Sequence, residues 1–153
     1  MALEYRLKIE TKIPLLNYLE NYLDKNSISV SKEKIQEVTN IYLYERFGFM
    51  ISTMNSEKVF FDYLINEKQV IEEYWDYSND MNFRLDKFYN NLLARLHMID
   101  ICVYILYNTK ENARLLFNGD ILVLERTNGI ISINQSFGFW NSVDLLDKIK
   151  SIM

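Results

Sequence analysis

The sequence predicts an α+β fold: a mainly antiparallel sheet with a C-terminal three-stranded meander and helices packed on one face. Three observations predict it. Residues 3–10 alternate, with Leu3, Tyr5, Leu7 and Ile9 set against Glu4, Arg6, Lys8 and Glu10; that is the period of a strand with one face on a core and one in water. Leu92, Leu93, Leu96, Ile99, Val103 and Leu106 recur at helical spacing. Asn-Gly stands between apolar runs twice, at Asn118-Gly119 and Asn128-Gly129, and this dipeptide supplies the positive φ angles of a tight hairpin.

The remaining elements follow in chain order. After the strand, Leu15, Leu16, Leu19, Tyr22 and Leu23 form one apolar face, which predicts a helix over 12–25 with Thr11 as its cap and Pro14 in its first turn. Residues 28–40 are polar and weakly periodic; they allow a short strand and a helical turn. A strand is predicted over 48–54, closed by a turn at Asn55-Ser56. Residues 57–77 are ambiguous, but the spacing of Val70, Ile71, Tyr74 and Trp75 favours a short helix, followed by a turn at Ser78-Asn79-Asp80. A second alternating strand runs over 81–88, with Arg84 and Asp86 on one face. The long helix over 91–107, the meander over 113–134, an aromatic corner at Phe137-Gly138-Phe139-Trp140 and a helix over 143–152 complete the chain. In that last helix Val143, Leu146, Ile149 and Ile152 share a face. One domain over 1–153 is expected from the length.

Composition narrows function. Hydrophobic residues make up 49% of the 153 and aromatic residues 14%, enough for a core without disulfide or metal support. Charge is 17 basic against 21 acidic residues, a net of −4, without the basic stripe of a nucleic-acid binder. No apolar segment approaches the roughly 20 residues of a membrane span, and no leader pattern opens the chain, so a cytoplasmic protein with neither nucleic-acid nor membrane partner is expected. The lone cysteine, Cys102, and the lone histidine, His97, provide no thiolate or imidazole cage for a metal and no nucleophile–base pair. Cys102 is expected to be buried and His97 to be a helix-surface or boundary histidine. The four glycines are dispersed, so no phosphate cradle is predicted. No cofactor, metal or catalytic residue is expected.

The densest acidic and aromatic segment is Glu72, Glu73, Tyr74, Trp75, Asp76, Tyr77 and Asp80. Aromatic side chains anchor protein contacts and carboxylates steer a basic partner, so these seven residues form the candidate binding site. The alternative for the same residue types is a small enzyme or ligand-binding domain that uses Tyr and carboxylate groups in a pocket. An open strand edge on the meander would add self-association; a monomer or weak homodimer is expected.

Four motifs occur in a recognisable order: Met1-Ala2-Leu3-Glu4-Tyr5, Phe83-Arg84-Leu85-Asp86-Lys87-Phe88, Leu115-Leu116-Phe117-Asn118-Gly119-Asp120 and Gly138-Phe139-Trp140. In order and spacing the chain resembles the third class of Sit immunity proteins, small bacterial proteins that protect a cell from its own contact-delivered Sit-type toxins. The resemblance implies a cognate toxin as partner, stoichiometric neutralisation and no catalysis. Phe83, Arg84, Asp86, Asn118, Gly119 and Trp140 match its motif positions. Residues 24–80 carry none of these motifs, and toxin specificity is expected there, because cognate pairs need private surfaces.

Overall fold

The alternation of residues 3–9 is realised as strand β1 (Leu3–Ile9), which lies in the interior of an eight-stranded sheet. The computed structural model describes residues 3–153; Met1 and Ala2 of the first motif lie outside the described residues. After β1 come α1 (Leu15–Lys25), β2 (Ser31–Ile35), β3 (Val38–Leu43), the single-turn α2 (Tyr44–Phe47), β4 (Phe49–Asn66) and β5 (Gln69–Leu85). Then follow α3 (Asn91–Tyr107), β6 (Ala113–Phe117), β7 (Ile121–Thr127), β8 (Ile130–Ile133), a 3-10 turn (Gly138–Asn141) and α4 (Val143–Lys150). The sheet order is β2-β3-β4-β5-β1-β6-β7-β8, with every neighbouring pair antiparallel. The fold is α+β with a C-terminal meander, as the sequence predicts.

One face of the sheet carries the helices. Tyr5, Leu7 and Ile9 of β1, Met81 and Phe83 of β5, and Ala113 and Leu115 of β6 share a core with Leu15, Leu19 and Leu23 of α1, with α3, and with Leu145 and Ile149 of α4. Each meander turn uses its Asn-Gly as predicted: Asn118 and Gly119 take φ of 51° and 76°, Asn128 and Gly129 of 53° and 81°. Trp140, in the aromatic corner, donates its indole N–H to the Val123 carbonyl at 2.8 Å.

Several boundaries differ from the sequence reading. Helix α1 begins at Leu15, with Pro14 just ahead of it; the Thr11 hydroxyl accepts from Ile13 N–H instead of capping the helix. The buried stripe of α3 is Ala94, Met98, Ile99, Ile101, Cys102, Ile105 and Leu106, while Leu92 and Leu93 are exposed. The buried face of α4 is Leu145 and Ile149, with Val143 in solvent. Strand β5 stops at Leu85. Asp86 therefore shares no strand face with Arg84, and its carboxylate accepts from the Phe88 N–H.

The largest difference concerns 55–80. Neither Asn55-Ser56 nor Ser78-Asn79-Asp80 is a turn, and 69–77 is not a helix. All lie in the two longest strands, which pair from Phe49–Leu85 out to Asn66–Gln69. Near the sheet β4 also pairs with β3, and β5 with β1. Beyond Asn55 and Asn79 the ladder narrows to these two strands, an arm, until Leu64 meets Ile121 of β7 in a parallel bridge. Met81, Phe83 and Leu85 face the helices. Glu73, of the same parity, meets Arg114, which alternates with helix-facing Ala113 and Leu115. The ribbon has thus turned over and lies across the back of the sheet. The change falls where Lys58 takes φ of 52° and the ladder skips its pairing with Asp76 without altering register.

Candidate functional site

Because side chains alternate along a strand, the arm has two chemically different faces. The inner face is fastened to the sheet. Tyr63 of the arm packs with Leu116 and Leu122 in a second small core, with Phe61, Ile65 and Ile71 at its margin. Beside this core, also between the arm and the sheet, lie two charge clusters. Arg114 grips Glu73 with two prongs, Nε to Oε2 at 2.7 Å and Nη2 to Oε1 at 3.0 Å. The Tyr63 hydroxyl donates to Glu73 at 2.8 Å and accepts from Arg114 at 3.1 Å. Lys8 donates to Asp80 at 2.8 Å, Ser78 donates to the same carboxylate at 2.6 Å, and the Lys8 ammonium sits 4.8 Å from the Phe61 ring centre.

These contacts set the electrostatics. Burial raises the Tyr63 phenol to about 12, and its bond to Glu73 acts in the same direction. Burial works against the charge on Arg114, but Glu73 and Tyr63 outweigh it and raise its pKa. Buried ions survive because each is paired and hydrogen-bonded. The inner face is therefore a fixed scaffold.

The outer face stands in solvent. Phe60 is 80% exposed and Tyr74, directly opposite it, 48% exposed; their ring centres are 4.7 Å apart. One step towards the tip, Asp62 and Glu72 are exposed and also directly opposite one another. Asp76 follows Tyr74 on the same face. The Tyr74 phenol is raised by desolvation and by a hydrogen bond to Asp76.

The seven residues singled out from sequence therefore divide. Glu72, Tyr74 and Asp76 come together on the outer face. Glu73 and Trp75 point inward, Trp75 being buried with the Arg114 guanidinium 5.8 Å from its ring centre. Tyr77 lies at the root of the arm beside the Lys12 ammonium. Asp80 is buried against Lys8. Sequence reasoning missed Phe60 and Asp62, which complete the outer face from the neighbouring strand. The signal available was the run Val59-Phe60-Phe61, legible as a strand with rings on both faces.

Elsewhere the chemistry is sparse. A groove of 550 Å³ between the arm tip and Phe137 is lined by Leu64, Ile65 and Ile121 among others, and Glu67 is its one carboxylate. His97 packs on Phe47 with ring centres 4.5 Å apart, and burial lowers its pKa. Burial pushes the Cys102 thiol up, well away from a reactive thiolate. Among the described residues no group of three or more His, Cys, Asp and Glu side chains is placed to hold a metal ion, and no helix is long and apolar enough to cross a membrane.

The residues behind the sequence resemblance hold the frame. Phe83 is fully buried, Arg84 lies opposite Glu4 across the β1–β5 ladder, and Asn118 exchanges hydrogen bonds with the Glu4 backbone. No curated protein and no solved structure matches the chain. A model of the SitI3-like family matches residues 3–144, a span that takes in β1, the whole arm, the meander and the aromatic corner. The chain belongs to the SitI3-like family, whose members are immunity proteins of toxin–immunity systems.

Proposed function

We propose that the chain binds a cognate bacterial toxin directly and neutralises it without catalysis, using the outer face of the arm as the contact. The observation that carries the reading is the Phe60–Tyr74 pair, two large rings in contact on an exposed ladder whose opposite face is pinned. Exposed aromatic side chains on a rigid element supply contact area at low entropic cost. The carboxylates of Asp62, Glu72 and Asp76 surround them and would accelerate encounter with a basic surface. Family membership supplies the kind of partner.

The test is to co-express the chain with the product of the adjacent candidate toxin gene. The expected result is relief of growth arrest and co-elution as a one-to-one complex. Phe60→Ala with Tyr74→Ala should weaken the complex while leaving the melting curve in place. No complex and no rescue with the unaltered chain would refute the reading.

A further inference from the structure

The outer face carries an electrostatic conflict. Asp62 and Glu72 are direct cross-strand partners on the exposed face of the arm. Like charges opposed in this way destabilise a hairpin. No basic side chain among the described residues forms an ion pair with either of them; the arm's own ion pair, Glu73 with Arg114, lies on the other face. The next pair along the ladder is Phe60 and Tyr74, roughly 7 Å away at two residues per pleat repeat. Two carboxylates about 5 Å apart at their Cβ atoms, beside an exposed ring, present the acceptors and the π face that a planar cation needs.

We infer that this face takes one arginine side chain of the partner, with its guanidinium forked between the Asp62 and Glu72 carboxylates and stacked on the Phe60–Tyr74 pair. The inference rests on the reading that the arm's outer face is the toxin contact, and it specifies the chemistry of what docks there. An arginine fits better than a lysine. Its flat fork can bond two separate carboxylates while its face lies on an aromatic ring, whereas an ammonium is a compact point charge. The repulsion between the two acids in the free protein is relieved when a cation enters, so this local destabilisation becomes selectivity for a cationic partner.

Two measurements separate this inference from the reading beneath it. The first is affinity for the adjacent-gene toxin of the unaltered chain, of Asp62→Asn/Glu72→Gln, and of the charge-matched control Asp144→Asn/Asp147→Asn at exposed positions of α4, on the helix-bearing face of the sheet. A loss of at least about tenfold is expected for the arm variant, and little change for the control. The second is a titration with the capped peptide Gly-Arg-Gly-Arg-Gly and its lysine and citrulline counterparts, read by amide chemical shifts. Shifts confined to 60–62 and 72–74, largest for arginine, less for lysine and absent for citrulline, are expected. If the toxin binds and the arm variant binds as tightly, the inference falls and the proposed function stands. If the toxin does not bind, the proposed function falls and the peptide decides: shifts on those residues uphold the arginine site, and their absence overturns it. A urea midpoint for the arm variant at or above that of the unaltered chain shows that any loss of affinity is not loss of fold.

Discussion

Arg114 and Glu73, 41 residues apart in sequence, meet through two nitrogen–oxygen contacts of 2.7 and 3.0 Å across the back of the sheet. This pair ties the inner face of the arm to β6. Removing one partner leaves the other charged in a water-poor layer, so Arg114→Ala should destabilise the protein by about 3–5 kcal/mol. Arg114→Lys should recover little, because a lysine cannot reproduce the fork. Replacing both, as Arg114→Met/Glu73→Leu, should be milder than either single change. Urea unfolding of the unaltered chain, Arg114→Met, Glu73→Leu and the double variant yields the coupling energy that checks this.

The outer face predicts the opposite sign. Asp62→Asn or Glu72→Gln removes a like-charge cross-strand pair and should raise the urea midpoint slightly at low salt. The gain should shrink in about 1 M salt, where the screening length falls to roughly 3 Å. A pair of denaturation curves at the two ionic strengths is sufficient.

Alkaline stability should be governed by buried phenols. Tyr5 and Tyr63 are both raised from 10.0 to about 12, chiefly by burial. Between those values the unfolded chain has lost protons that the folded state still holds. Their contribution to stability is therefore complete below pH 10 and is lost as pH rises through about 12. Tyr63→Phe should flatten that part of the profile, at the cost of its hydroxyl's two hydrogen bonds. Phenolate absorbance measured beside circular dichroism should show these two tyrosines ionising together with unfolding.

Gly48 should tolerate no side chain. It ends α2 with φ of 81°, and a Cβ there would run into the Tyr89 ring. Gly48→Ala combines left-handed strain with a steric clash and should cost at least about 1–3 kcal/mol. Gly129 has the same φ with open space around it, so Gly129→Ala should cost less. Comparing thermal midpoints of the two variants separates crowding from backbone strain.

The elements legible in the sequence were those whose local pattern agrees with their surroundings. Strand β1 alternates because one face meets the helices, and the meander turns carry their own Asn-Gly chemistry. The arm was illegible for a physical reason. Its inward positions include charged Glu73 beside apolar Ile71 and Trp75, while its outward positions include Phe60, Val70 and Tyr74, so period two is hidden. Glu73 is tolerated inside because Arg114 waits for it far along the chain. Ser78, Asn79 and Asp80 have turn composition, but each side chain makes a hydrogen bond in place: Ser78 donates to Asp80, Asp80 accepts from Lys8, and Asn79 donates through its amide nitrogen to the Thr11 carbonyl. Three of the five outer-face residues, Glu72, Tyr74 and Asp76, were legible in the sequence because acid and aromatic residues are dense there. Phe60 and Asp62 reach the same face only through the strand register.

Strand β1 sits between β5 and β6, so both of its ladders require partners made much later: Lys8 meets Asp80 from 72 residues downstream, and Tyr5 faces Phe117. Loop closure over such separations must precede the contacts that reward it, which slows folding. A ribosome adding about 5–20 residues per second leaves β1 without a neighbour for seconds, and the sheet cannot close until β6 has emerged. The folded state therefore lags synthesis of the chain, and whatever the chain binds at a given moment is met by the molecules already folded.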